Sequence, residues 1–133
     1  MAKKVLIVDD EEDVRFLIQT LLKRHKYEAE TAEDGEAGLE KMRETSFDLV
    51  ILDILMPKLD GYGVLRKMAE AGLKTPVIML TARADDDSVW DGYSRGATLY
   101  VTKPFDNKYL IDAVNYLIGD LSEAERREIE RRL

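Results

Sequence analysis

The sequence predicts an α/β fold, a doubly wound five-stranded parallel sheet with helices on both faces. Three observations predict it. Short runs of mostly branched apolar residues, Val5-Leu6-Ile7-Val8, Leu49-Val50-Ile51-Leu52 and Val77-Ile78-Met79-Leu80, read as strands buried on both faces. Segments with apolar residues at helical spacing alternate with these runs, as in the crossover units of a parallel sheet. A polar, chemically capable residue stands where strand after strand ends, on the rim where open α/β sheets bind ligands.

Composition bounds the class. With 133 residues, 45% apolar and 35% charged, the chain suits one soluble globular domain with a single filled core. A net charge of −7 argues against direct nucleic-acid contact and against anionic membranes. The absence of cysteine excludes disulfides and thiolate metal sites. The first apolar run, residues 5–8, is too short for a signal peptide or a membrane span, so a cytoplasmic protein is the expectation.

Taken in order, the first strand runs into Asp9-Asp10-Glu11-Glu12-Asp13. Helix capping and the helix dipole account for some of these acids, but not for acid at the very tip of an apolar strand. Val14, Leu17, Ile18, Leu21 and Leu22 recur at helical spacing and predict an amphipathic helix from Glu12 to Arg24. His25, the single histidine, falls at its end as an exposed helix-end residue rather than a catalytic base.

Residues 27–31 alternate weakly as a second strand, and Asp34-Gly35 marks the entry to a short helix over 36–43. The central strand, 48–52, delivers Asp53, and Pro57 stops the chain soon after. Asp60-Gly61 opens a third helix with Val64, Leu65 and Met68 inward, which Gly72 closes.

The fourth strand, 77–80, ends at Thr81, for which a simple cap or turn role is the plainer explanation when it is taken alone. A fourth helix is expected over 85–95, softened by Gly92 and ended by Gly96. A fifth strand, 98–101, leads to Thr102-Lys103-Pro104-Phe105. A last main helix follows over 106–118, burying Leu110, Val114 and Leu117. Gly119-Asp120 breaks it, and Ser122-x-x-Glu125 is a capping box for a further charged helix. The expected division is therefore residues 1–119 as the domain and 120–133 as a charged, solvated helical extension. No DNA-binding or catalytic output domain fits in that extension.

Right-handed crossovers put all the strand carboxyl ends on one rim. Asp9, Asp10, Asp53, Thr81 and Lys103 then converge from four strands. Clustered carboxylates repel unless a cation joins them, and oxygen-only ligands favour a hard ion such as Mg²⁺. Carboxylates, a divalent cation, a lysine and a hydroxyl together suit phosphoryl transfer, with one carboxylate as nucleophile. Asp53, on the central strand, is the best placed of the acids.

Val8-Asp9-Asp10, Leu52-Asp53-Ile54-Leu55-Met56-Pro57, Asp60-Gly61, Leu80-Thr81-Ala82, Gly96-Ala97 and Lys103-Pro104-Phe105 resemble the receiver domain of two-component response regulators. The resemblance runs over residues 3–118 and includes the stand-alone chemotaxis form. It implies a flavodoxin-like sheet of order 2-1-3-4-5. It implies Asp53 as phosphoacceptor from a histidine kinase or histidine phosphotransfer protein. Asp10, Asp53 and the Leu55 backbone carbonyl would hold Mg²⁺ directly, and Asp9 would act through water. Thr81 and Lys103 would contact the phosphoryl group, with Lys103-Pro104 cis and Tyr100 the switch aromatic. A downstream protein is expected on the face of the fourth helix, fifth strand and fifth helix, bordered by Tyr109 and Tyr116.

Thr98 and Leu99 depart from the acids the family often places before that aromatic, without touching the active-site set. Three other readings stay open: a receiver fragment of a longer regulator, a Mg²⁺-dependent aspartyl-phosphate phosphatase, and a scaffold that binds without phosphorylation. The phosphatase reading lacks the usual general acid two residues after the nucleophile, where this chain has Leu55.

Overall fold

Side chains alternate across a strand, so a strand apolar at every position must be covered on both sides. The structure, a computed structural model, describes residues 2–82 and 96–133 and supplies that cover. Its strands are β1 (Lys4–Val8), β2 (Glu28–Ala32), β3 (Leu49–Asp53), β4 (Val77–Thr81) and β5 (Leu99–Thr102). All pairs are parallel, in the order β2-β1-β3-β4-β5. The expected fold and strand order hold, with strand ends displaced by one residue. Asp53 itself closes β3, opposite Leu80 of β4.

Numbered along the described residues, the helices are α1 (Glu12–Arg24), α2 (Gly35–Glu44), α3 (Gly61–Glu70), α4 (Asn107–Ile118) and α5 (Glu123–Glu130). The fourth helix expected over 85–95, with Gly92, lies outside the described residues. One face of the sheet, with Val5, Ile7, Leu49, Ile51, Ile78 and Leu80, packs on α1 and α4. The other, with Leu6, Val8, Val50, Leu52, Val77 and Met79, packs on α2 and α3.

Local chemistry sets the helix ends. Asp34, Asp60 and Asp106 each accept a backbone N–H from the first turn of α2, α3 and α4. Gly72, at φ +73°, follows α3 in the left-handed conformation that glycine adopts freely. The acids before α1 do not cap it with a side chain; instead Glu11 N–H donates to Asp9 Oδ1 at 2.9 Å. His25 is exposed at the end of α1, as expected.

Two side chains are less buried than expected, Leu117 of α4, which is half-buried, and Leu17 of α1. Leu17 is exposed rather than buried, because the stripe of α1 facing the sheet runs through Val14, Ile18, Leu21 and Leu22, leaving Leu17 at its edge beside exposed Phe16. The charged extension is helical, with its capping box formed and its residues 122–133 exposed apart from Ile129, and it rests against α4. Ile129 is buried, and Arg132 Nε donates to Oδ2 of the buried Asp112 of α4 at 2.8 Å. One apolar side chain and a few polar contacts hold this otherwise exposed helix against α4.

Candidate active site

Strand parity builds the site. Ile7, Ile51 and Val101 face the α1/α4 layer, so Asp9, Asp53 and Lys103, each two residues further on, are directed to the same side at the rim. The outcome is close approach. Lys103 Nζ donates to Asp9 Oδ2 at 2.9 Å and lies 3.5 Å from Asp53 Oδ1. Asp9 is fully buried and Asp53 is 5% exposed, while Asp10 is open to solvent. Carboxylate oxygens of Asp9, Asp10 and Asp53 come within 4.8 Å of one another.

The electrostatics follow from that packing. Burial raises the Asp53 pKa from 3.8 to about 6; Asp9 and Asp10 push it the same way, and Lys103 opposes them. For Lys103 burial acts downward, but the hydrogen bond to Asp9 and the charges of Asp9 and Asp53 leave its pKa raised above 10.5. Among the described residues, three carboxylates thus face one ammonium, an imbalance that a divalent cation would offset. The donor set, oxygen only and partly open to water at Asp10, fits a hard ion of the Mg²⁺ type.

Backbone contacts hold the rim in place. Ile54 N–H donates to Leu80 O at 3.1 Å, and Lys103 N–H donates to Thr81 O at 2.7 Å, tying β3 to β4 and the β5 exit to β4. The Lys103–Pro104 peptide is cis, as the family resemblance implies. Gly61 N–H donates to Ile54 O at 2.8 Å, and a Cβ on Gly61 would sit 2.6 Å from the Asp53 carbonyl oxygen. That clearance explains the Asp60-Gly61 pair: the aspartate caps α3 while the glycine lets the helix start against the backbone of the central acid.

Thr81 is buried, and parity turns it to the opposite layer, the side of Met79. Tyr100, half-buried, packs in that same layer and is a diagonal neighbour of Thr81, since β4 and β5 pair Met79 with Tyr100 and Thr81 with Thr102. Leu55 follows Asp53 by two residues with its side chain 66% exposed at the rim. Arg15 escapes the sequence reading: its Nη1 donates to the Asp9 carbonyl oxygen at 2.8 Å, pinning the turn that carries the first two acids. An arginine one turn into a helix that begins with acids is its only trace in the sequence. A cleft lined by Lys58, Asp60, Tyr62 and Arg66 lies along the start of α3 and takes none of the three acids.

A family model described as the response regulator receiver domain matches residues 5–115. The chain belongs to the response-regulator receiver family. The transcriptional regulatory protein DltR of Streptococcus agalactiae is 42% identical over 108 residues, covering 81% of this chain and 48% of that protein. The alkaline phosphatase synthesis transcriptional regulatory protein PhoP of Bacillus subtilis is 43% identical over 105 residues, covering 79% of this chain and 44% of its own. The receiver therefore spans about half the length of these curated relatives. Among solved structures, the chemotaxis protein CheY4 of Vibrio cholerae superposes with a TM-score of 0.84 at 32% identity, covering 89% of this chain and all of that one. No described helix of the receiver is long and apolar enough to cross a membrane.

Proposed function

We propose that this receiver accepts a phosphoryl group on Asp53 from a histidine kinase or histidine phosphotransfer protein, in a Mg²⁺-dependent reaction, and that residues 1–119 form the phosphorylated unit. The observation that carries the reading is the convergence of Asp9, Asp10 and Asp53 around Lys103. An Asp53 carboxylate oxygen attacks phosphorus in line, and the bond from phosphorus to the donor imidazole nitrogen breaks. The released imidazole takes up a proton from water. With a pKa of about 6, Asp53 is largely ionised at neutral pH and ready as a nucleophile.

Asp10, Asp53 and the Leu55 carbonyl would hold Mg²⁺ directly, with Asp9 linked through water. That assignment for Asp9 is supported by its oxygens already accepting from Lys103 Nζ and from Glu11 N–H. Bound there, the ion would offset the charge gathering on the phosphoryl oxygens. Lys103 contributes its ammonium to the same oxygens, and Thr81 its hydroxyl. Movement of Thr81 would draw Tyr100 inward, shifting the population of a face used by a downstream protein. Amide shifts on beryllofluoride addition test that face, and shifts confined to the phosphorylation loops would reject it.

A second reading, that these residues are the receiver part of a longer regulator, is favoured by the coverage of the relatives, named as transcriptional regulators. The phosphatase reading is disfavoured because Leu55 has no proton to exchange.

Intact-mass measurement with acetyl phosphate and Mg²⁺ tests the proposal. One phosphoryl mass is expected on the wild type, none on Asp53→Asn, and none with the ion chelated. Undiminished labelling of a folded Asp53→Asn would reject the assignment.

A further inference from the structure

We propose that the strip of α4 carrying Asp112 and Tyr116 is a docking site for a short partner helix with an aliphatic residue three positions before an arginine, and that α5 occupies this site in cis. The recognition pattern is visible in how α5 is held. Ile129 is the only buried residue of α5, and it belongs to neither core cluster. Three residues on, Arg132 Nε donates to Asp112 Oδ2 at 2.8 Å. Tyr116 is clasped from two sides. Its hydroxyl donates to Glu130 Oε1 at 2.9 Å, and the Arg126 guanidinium lies 4.5 Å from its ring centroid. Arg126 Nη1 also donates to the Tyr116 carbonyl oxygen at 3.1 Å, one of the carbonyls that the end of α4 leaves without a helical partner.

The charges of α5 divide by direction. Arg127 pairs with Glu123 and Arg131 with Glu128 inside α5, so they support the helix itself. Arg126, Glu130 and Arg132 reach across to α4 and read it, while Arg132 also pairs with Glu128 of α5 at 3.6 Å. The Ser122–Glu125 capping box starts α5 independently of α4. A self-starting helix held by one aliphatic side chain and a few polar contacts is an exchangeable ligand rather than a part of the core.

The Asp112–Arg132 pair returns little net stability, because Asp112 is desolvated to form it while Arg132 stays exposed. Much of the preference for α5 therefore comes from its tether through Gly119, Asp120 and Leu121, which acts as a high local concentration. A partner helix with the same pattern, presented beside the strip, competes on equal chemical terms. Asp112 and Tyr116 lie three and seven residues beyond Tyr109, so the contested strip continues the outward line of α4 from the half-buried Tyr109. A partner bound there would read a surface that α5 otherwise covers.

The test follows backbone amide resonances of the full chain and of an Ile129→Asp/Arg132→Glu variant, each titrated with a synthetic peptide of residues 120–133. In the variant α5 is expected to leave, moving the Asp112 and Tyr116 amides. Peptide at about 1 mM, comparable to the tethered concentration, should return these amides toward their wild-type positions. The wild type should need at least about tenfold more peptide for the same occupancy. Adding Asp112→Arg to the variant should abolish the response. The proposal is overturned if the variant keeps α5 docked, if peptide leaves its Asp112 and Tyr116 amides unmoved, or if wild type and variant respond alike. It is also overturned if Asp112→Arg changes nothing, or if sedimentation shows that the variant dimerises at the strip in place of binding peptide.

Discussion

The Lys103 ammonium lies 2.9 Å from Oδ2 of Asp9, a carboxylate that has no solvent exposure at all. Removing one partner of a buried pair leaves the other charged and unsolvated, at a cost of about 3 kcal/mol or more. Lys103→Met is expected to lower stability by that order when Mg²⁺ is absent. Because the Lys103 pKa is raised above 10.5, the pair is intact through the neutral range and is lost only in strong alkali. If a divalent ion takes over the charge balance, saturating Mg²⁺ should restore more stability to the variant than to the wild type. Urea unfolding with and without the ion checks this; equal losses in both conditions would refute it.

Asp53 makes the opposite contribution. Its folded pKa of about 6 stands above the ordinary 3.8, so between those values the native protein holds a proton that the unfolded chain has released. Stability therefore falls as pH rises through that window, and the deficit is complete above it. A shift of this size corresponds to about 3 kcal/mol at most. Asp53→Asn should stabilise the metal-free receiver by about 2–3 kcal/mol near pH 7.5, with the gain fading toward about pH 4. Mg²⁺ should shrink the gain by stabilising the wild type alone. A gain independent of pH would show that the carboxylate charge is not its cause.

The acids and Lys103 are legible in the sequence because each stands at a strand's carboxyl end or within two residues of it, and topology alone sends such positions to one rim. Parity is the finer part: Asp9, Asp53 and Lys103 share a side, whereas Thr81 turns to the layer of Tyr100, which becomes visible once the strand register is known. Arg15 is hidden because its target is a backbone carbonyl, and backbone acceptors leave no mark in a sequence. The docking of α5 is hidden for a related reason. A single isoleucine among alternating Glu and Arg carries almost no periodic signal, and the acid that receives Arg132 lies on another helix.

Gly61 couples the start of α3 to the nucleophile's own peptide. A methyl group there would meet the Asp53 carbonyl oxygen at 2.6 Å and Ile54 Cα at 2.9 Å, and backbone atoms yield less readily than the end of a flexible side chain. Gly61→Ala should destabilise by about 1–3 kcal/mol and also slow phosphorylation by acetyl phosphate, since relief requires shifting the turn that follows Asp53. Urea midpoints together with initial labelling rates check it. A variant that labels at the wild-type rate would detach Gly61 from the site.

The lifetime of the phosphorylated state depends on how water reaches phosphorus. Hydrolysis of an aspartyl phosphate needs a water held in line, and a side chain able to hydrogen-bond that water speeds the loss. Leu55, two residues beyond Asp53 and 66% exposed, stands at the rim with neither donor nor acceptor. Arg83, outside the described residues and two beyond Thr81, has donors but cannot accept a proton. Slow self-hydrolysis is the expected result. Leu55→Asn should shorten the lifetime by about tenfold, and Arg83→Glu should shorten it further by offering an acceptor. Decay of the phosphoryl mass after removal of the donor, followed in the single and double variants at constant Mg²⁺, checks the expectation. A double variant that holds its phosphoryl group as long as the wild type would show that the two positions do not control the water.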